Sequence, residues 1–237
     1  MDDERIAKQR LNIFLLVDAS KSMQGTRIRQ VDQAVKDIKD YLTDLQAENA
    51  TVDFFLTIIP FNNDAFLYKG KDAVNIGELD YDGIKCGGWS NLHCAYAKLG
   101  ELLHRSAKGG IMPDFGGVAP IILLLTDGHP TGDGYREELA KIKKLAWFRE
   151  ALRYGVAIEL DDKRTMEVLH DFVGENGDVI SVYDAAMLKG IIKIIVLTAS
   201  KVKSTTSDVT YRPHQNPNEE AQQLIAEALA ETESWEW

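Results

Sequence analysis

Three short segments of the chain carry side chains able to do chemistry together. Asp18, Ser20 and Ser22 alternate in Asp18-Ala19-Ser20-Lys21-Ser22, directly after the apolar run Ile13-Phe14-Leu15-Leu16-Val17. Asp127 stands in Thr126-Asp127-Gly128-His129-Pro130-Thr131, after Pro120-Ile121-Ile122-Leu123-Leu124-Leu125. Ser90 lies in Gly87-Gly88-Trp89-Ser90-Asn91-Leu92, before a helical pattern. If the two apolar runs are neighbouring strands, their following loops meet, and Ser90 can approach from a third side. Two carboxylates and three hydroxyls then converge. An all-oxygen set of this kind suits a hard divalent cation: Mg2+, with Mn2+ or Ca2+ as alternatives. Two carboxylates balance its charge formally, whereas hydroxyls are weak ligands. If the aspartates act through water or hydrogen bonds, the metal stays electrophilic and an outside carboxylate can complete its shell.

The elements that must position these residues follow from hydrophobic periodicity. Residues 12–18, 51–61, 65–69, 120–125, 156–160 and 179–182 read as strands, with a turn at Asn62-Asn63-Asp64. Ile28, Val31, Val35, Ile38, Leu42 and Leu45 recur every three or four residues, which predicts a helix with one buried face. Leu92, Tyr96, Leu99 and Leu103 predict another. Near-continuous apolar strands alternating with amphipathic helices imply an α/β fold. The expected architecture is a doubly wound, mainly parallel, Rossmann-like sheet with helices on both faces. The turn at 62–64 suggests one antiparallel edge strand. Ligands of such sheets bind in the crevice beyond the carboxyl ends of the strands.

Composition narrows the function. The 237 residues are 45% apolar and carry a formal net charge of -10, which disfavours a nucleic-acid partner. Two cysteines, Cys86 and Cys94, make no disulfide framework and read as free thiols, and a Zn2+ site would lack two partners. The polar start and the absence of a long apolar run argue against a membrane, and a cytoplasmic location is expected. Residues 1–200 are expected to form one domain. Residues 201–237 read as a polar linker followed by an amphipathic helix starting at Asn216-Pro217-Asn218-Glu219, with Leu224, Ile225, Ala228 and Leu229 on one face. Trp235 and Trp237 close it.

Asp18-Ala19-Ser20-Lys21-Ser22 matches the Asp-x-Ser-x-Ser of von Willebrand factor A (vWA) domains, whose site is the metal-ion-dependent adhesion site, or MIDAS. Ser90 matches that site's threonine and Asp127 its distal aspartate. The resemblance covers about residues 10–200. It implies direct coordination by Ser20, Ser22 and Ser90, with Asp18 and Asp127 acting mainly through water. Within the family, the segments Thr126–Thr131 and Phe172-Val173-Gly174 resemble the bacterial TerY group of tellurium-resistance clusters. That likeness implies a protein partner supplying Glu or Asp to the metal, such as a protein kinase or a metal-dependent protein phosphatase. The chain departs from the family in having serine at Ser90 and a histidine, His93, where a small residue is usual.

Plainer roles exist for each residue. Asp18 to Ser22 could cap the helix starting near Arg27, and Ser90 could cap the helix from Leu92. Asp133, Asp161 and Asp162 could add ligands, but helix capping is the simpler role. His93 and His129 are more simply packing or surface residues. An enzyme, a metal-dependent phosphohydrolase on a similar sheet, is the alternative to a binding module. Against it, the first strand ends Asp-Ala-Ser rather than Asp-x-Asp, and no phosphate-cradling glycine motif is present.

Overall fold

The computed structural model describes residues 8–48, 52–115, 117–159, 162–174, 177–184 and 186–190. The expected linker and helix over 201–237, and Asp161, lie outside the described residues. Strand β1 (Gln9–Asp18) leads through a 3-10 turn (Lys21–Met23) into helix α1 (Thr26–Glu48). There follow β2 (Val52–Phe61), β3 (Val74–Asn75), α2 (Leu92–Leu102), β4 (Ile121–Thr126), α3 (Tyr135–Ile142) and α4 (Ala146–Glu150). Then come β5 (Leu152–Ile158), α5 (Lys163–Val173) and β6 (Gly177–Val182).

The strands form one six-stranded sheet in the order β3-β2-β1-β4-β5-β6. Every pairing is parallel except that of β2 with β3. This is the doubly wound, mainly parallel α/β sheet with one antiparallel edge strand that the periodicity predicts. Side chains of β1 alternate between its two faces, as the pleat requires. Ile13, Leu15 and Val17 pack with Val31, Val35, Ile38 and Leu42 of α1. Phe14 and Leu16 pack instead with Leu92, Tyr96 and Leu99 of α2 and with Leu139, Phe148, Leu169 and Phe172 beyond it. β4 divides the same way, Leu123 and Leu125 on one side and Ile122 and Leu124 on the other. Burial on both faces explains why these strands read as unbroken apolar runs.

Two expectations are corrected. Residues 65–69 are not a strand. Asp64 turns its carboxylate onto the Ala65 N–H at 2.8 Å, and the Phe66 N–H bonds back to the Pro60 carbonyl at 3.3 Å. Only an isolated Phe61–Ala65 bridge forms, and the edge strand is Val74–Asn75, paired with Phe55 and Leu56. The strand expected over 156–160 instead begins at Leu152 and ends at Ile158. Glu159 takes a left-handed φ of 49°, which breaks the extended conformation.

Successive strands wind outward from β1 to β2 and β3, and the chain then crosses back to build β4, β5 and β6 on the other side. The winding direction therefore reverses between β1 and β4. A crevice opens at that reversal, beyond the carboxyl ends of both strands.

Candidate metal centre

Asp18 is the last residue of β1, in register with Phe61, while Val17 pairs with Leu125 on the other side. The loop after it is pinned at alternate residues. The Ala19 N–H donates to the Phe61 carbonyl at 2.7 Å, and Ala19 and Met23 are both fully buried. Ser20 remains extended, with φ -69° and ψ 172°. Pinning the small and apolar residues inward leaves Ser20 and Ser22 to face the crevice, which accounts for their alternation.

The loop carrying Ser90 docks on the β1 loop through backbone bonds. The Gly87 N–H reaches the Ala19 carbonyl at 2.8 Å, and the Lys21 N–H reaches the Gly88 carbonyl at 3.1 Å. Gly88 has a φ of 78°, and a Cβ there would stand 2.6 Å from the Asn63 side chain. Both constraints call for glycine. From the third side, the Thr131 N–H bonds to the Ser90 carbonyl at 2.7 Å, joining the β4 loop to the Ser90 loop.

The five residues meet through their side chains. Asp18, fully buried, accepts from the Ser20 N–H (2.9 Å) on Oδ1 and from Ser90 Oγ and Thr126 Oγ1 (both 2.8 Å) on Oδ2. Ser22 Oγ donates to Asp127 Oδ1 at 2.8 Å and lies 3.0 Å from Ser20 Oγ. With its own proton committed to Asp127, Ser22 accepts from Ser20. Burial pushes the Asp18 carboxyl above the usual range, and the bonds from Ser20, Thr126 and Ser90 oppose that push.

The capping alternatives fail for this set. Ser20 makes no side-chain capping bond, and α1 begins only at Thr26. Asn91, not Ser90, occupies the N-cap of α2. Capping does hold for Asp162, which caps α5 by accepting from the Thr165 N–H at 3.1 Å. Asp133 and His129 are exposed, and His93 Nε2 contacts Cys94 Sγ at 3.2 Å. Cys86 and Cys94 are free. Burial, with Asp32, Asp18 and Asp127 nearby, pushes the Cys86 thiol up to about 11.

Two participants escape the sequence motif. Thr126 holds Asp18 from the end of β4, and as the residue before Asp127 it could have been suspected from its hydroxyl. Arg27, in the first turn of α1, donates from Nη1 to Asp127 Oδ2 at 2.6 Å and from Nε to Glu159 Oε2 at 3.3 Å. No local pattern marks an arginine whose partners lie 100 and 132 positions away.

The donor set fits a hard cation. Ser22 and Ser90 spend their protons on carboxylates, and Ser20 spends its proton on Ser22. Each hydroxyl therefore keeps lone pairs. Among the described residues, no group of three or more His, Cys, Asp or Glu is placed to hold a metal. A cation in this crevice would thus depend on the hydroxyls.

A doubly wound sheet with an oxygen-lined crevice at its winding reversal defines a class of α/β binding domain. The von Willebrand factor type A domain model matches residues 12–194, and the chain belongs to that family. It is 30% identical over 128 residues to human inter-alpha-trypsin inhibitor heavy chain H6, a match covering 51% of this chain and 9% of that protein. Over 135 residues it is likewise 30% identical to human heavy chain H2, covering 56% and 13%. The chain thus spans only about a tenth of these relatives. Among solved structures, it resembles the ArnB paralog VWA2 from Sulfolobus acidocaldarius, with TM-score 0.52, 20% identity and coverage of 78% and 44%. The pilus adhesin SpaC from Lactobacillus rhamnosus GG, in its open conformation, aligns with TM-score 0.58, 14% identity and coverage of 83% and 30%. These likenesses establish the fold. Domains of this family commonly serve as protein-interaction modules. Among the described residues, no helix is long and apolar enough to cross a membrane.

Proposed function

We propose that the chain is a metal-dependent protein-interaction module rather than an enzyme, with Mg2+ held by Ser20, Ser22 and Ser90 and supported by Asp18 and Asp127. The observation that carries this is how the hydroxyls pair. Ser22 and Ser90 donate to the buried carboxylates of Asp127 and Asp18, and Ser20 pairs with Ser22, which leaves lone pairs for a cation. When bound, the ion supplies an electrophilic centre for an acidic side chain of the partner. The chain's own part is to keep Asp18 and Asp127 occupied by internal donors, so that neutralisation at the centre is incomplete. A Glu or Asp of the partner then gains a partly desolvated, charge-assisted contact, and its removal costs about 2–5 kcal/mol, the range for one member of a buried interfacial charge pair.

The motif resemblance to the TerY group supports a cytoplasmic role in a stress-resistance system, with a protein kinase or a metal-dependent protein phosphatase as partner. The test is affinity capture on the immobilised full chain. Partners should be retained in Mg2+, released by EDTA, and lost with Asp18→Ala. Retention in EDTA would place the contact elsewhere. Mg2+-dependent hydrolysis of a generic phosphoester, abolished by Asp18→Ala, would instead favour the phosphohydrolase alternative.

A further inference from the structure

Among the described residues, Arg27 is the basic side chain that forms an ion pair with a site carboxylate. Its guanidinium ties together three loops at the carboxyl edge of the sheet. Nη1 donates to Asp127 Oδ2 at 2.6 Å and lies 3.4 Å from the Ser22 carbonyl. Nε donates to Glu159, whose other oxygen accepts from Gln30 Nε2 at 2.8 Å. The Asp127 side chain is wholly buried, whereas Arg27 and Glu159 remain about 30% exposed, at 29% and 30%. A cation in the first turn of a helix is opposed by the helix dipole. Arg27 therefore sits where α1 alone would disfavour it, and the carboxylates hold it there.

This placement acts on Asp127 in two ways. Ser22 takes one of its oxygens and Arg27 the other. A guanidinium–carboxylate hydrogen bond is short, charge-assisted and directional. The same guanidinium adds a positive charge beside a centre whose affinity for a divalent cation depends on its ligand charge count.

We propose that Arg27 is a specificity-determining positioning residue of the crevice: by holding Asp127 Oδ2, it keeps that carboxylate from direct coordination and weakens the centre for a divalent ion alone. This rests on the metal-site reading above. It implies that the acid supplied by the partner does work that Asp127 would otherwise do. Without Arg27, Asp127 Oδ2 is released as an anionic ligand while Oδ1 stays bonded to Ser22. The centre should then bind the metal more tightly and have less need of an outside carboxylate.

The test is Mg2+ titration calorimetry on the full chain, with Mn2+ water-proton relaxation as a second readout. Arg27→Gln should bind Mg2+ roughly ten- to a hundredfold more tightly than the unaltered chain, the scale on which outer-shell groups alter metal affinity. Its bound Mn2+ should carry fewer exchangeable waters, because Asp127 displaces one. Glu159→Gln removes the carboxylate that competes with Asp127 for Arg27 while keeping an oxygen acceptor, and should weaken Mg2+ binding several-fold, an independent check should Arg27→Gln fold poorly. Equal or weaker Mg2+ binding by a folded Arg27→Gln would overturn the proposal and make Arg27 a mere prop for Asp127. Tighter binding by Glu159→Gln would overturn it equally. If neither the unaltered chain nor Arg27→Gln binds either metal, the metal-site reading itself falls, a result distinct from these.

Discussion

Asp18 and Arg153 are both buried charges, and they sit at opposite ends of the same mainly parallel sheet. Arg153, near the start of β5, is 7% exposed. Its Nε donates to the Val173 carbonyl at 3.0 Å, and its Nη1 donates to the carbonyls of Phe148 (2.5 Å) and Ala151 (3.2 Å). Phe148 and Val173 lie in the last turns of α4 and α5, whose carbonyl ends are electronegative. The guanidinium also lies over the Phe148 ring, 4.9 Å from its centroid. Among the described residues its hydrogen bonds all go to carbonyls, and every acceptor is turned inward onto the charge. Asp18 is satisfied just as fully, by the Ser20 N–H and the hydroxyls of Thr126 and Ser90, yet the Ser90 hydroxyl retains lone pairs at the crevice. Burial of a charge therefore does not mark a functional site. What separates the two ends is whether the neutralising groups can still bind something else.

The comparison can be broken most sharply at the closed end. Arg153→Met should destabilise the domain by about 3 kcal/mol, because it strips several buried carbonyls of their donor. Urea unfolding measures this, and a variant of unchanged stability would show that Arg153 does not hold its end together. Gly155→Ala should cost about 1–3 kcal/mol, since a Cβ there would stand 2.9 Å from Leu169 Cβ and push α5 off the sheet. At the open end, the effect on stability should be small and the effect on binding large. Asp18→Asn removes a buried charge while keeping the side chain's shape. It should shift stability by no more than about 1 kcal/mol and abolish Mg2+ binding. An Asp18→Asn chain that binds Mg2+ normally, or unfolds, would erase the distinction between the two ends. The smallest expected effect is that of Ser90→Thr. The added methyl restricts the rotamer of the hydroxyl facing Asp18, and Mg2+ affinity should rise slightly without change in thermal midpoint.

Much of the open end was legible in the sequence, because its residues are local to strand ends. Asp18, Ser20 and Ser22 follow one apolar run, and Asp127 follows another. Once those runs are neighbouring parallel strands, their loops must meet. Ser90 is ambiguous in the sequence, since a serine before a helix has an ordinary capping role. The structure separates the two roles by giving the N-cap to Asn91. The edge strand was misplaced because Ala65-Phe66-Leu67-Tyr68 has strand-forming residues, whereas the preference of Asp64 for a local backbone bond ends the pairing. The closed end was invisible. Nothing near Arg153 in the sequence announces that helices ending at Glu150 and Val173 will aim carbonyls at it. Arg27 was hidden for the same reason, as its ion pairs join α1 to loops after β4 and β5.

If hydroxyls, rather than a cluster of carboxylates, make the metal centre, removing them should abolish binding while both aspartates stay. Mg2+ is titrated calorimetrically into the full chain and into a Ser20→Ala/Ser22→Ala variant whose thermal midpoint has been matched to it. The unaltered chain should show a single Mg2+ site and the folded double variant none, although both aspartates remain in place. Equal Mg2+ binding by the two proteins, or none by the unaltered chain, would contradict it.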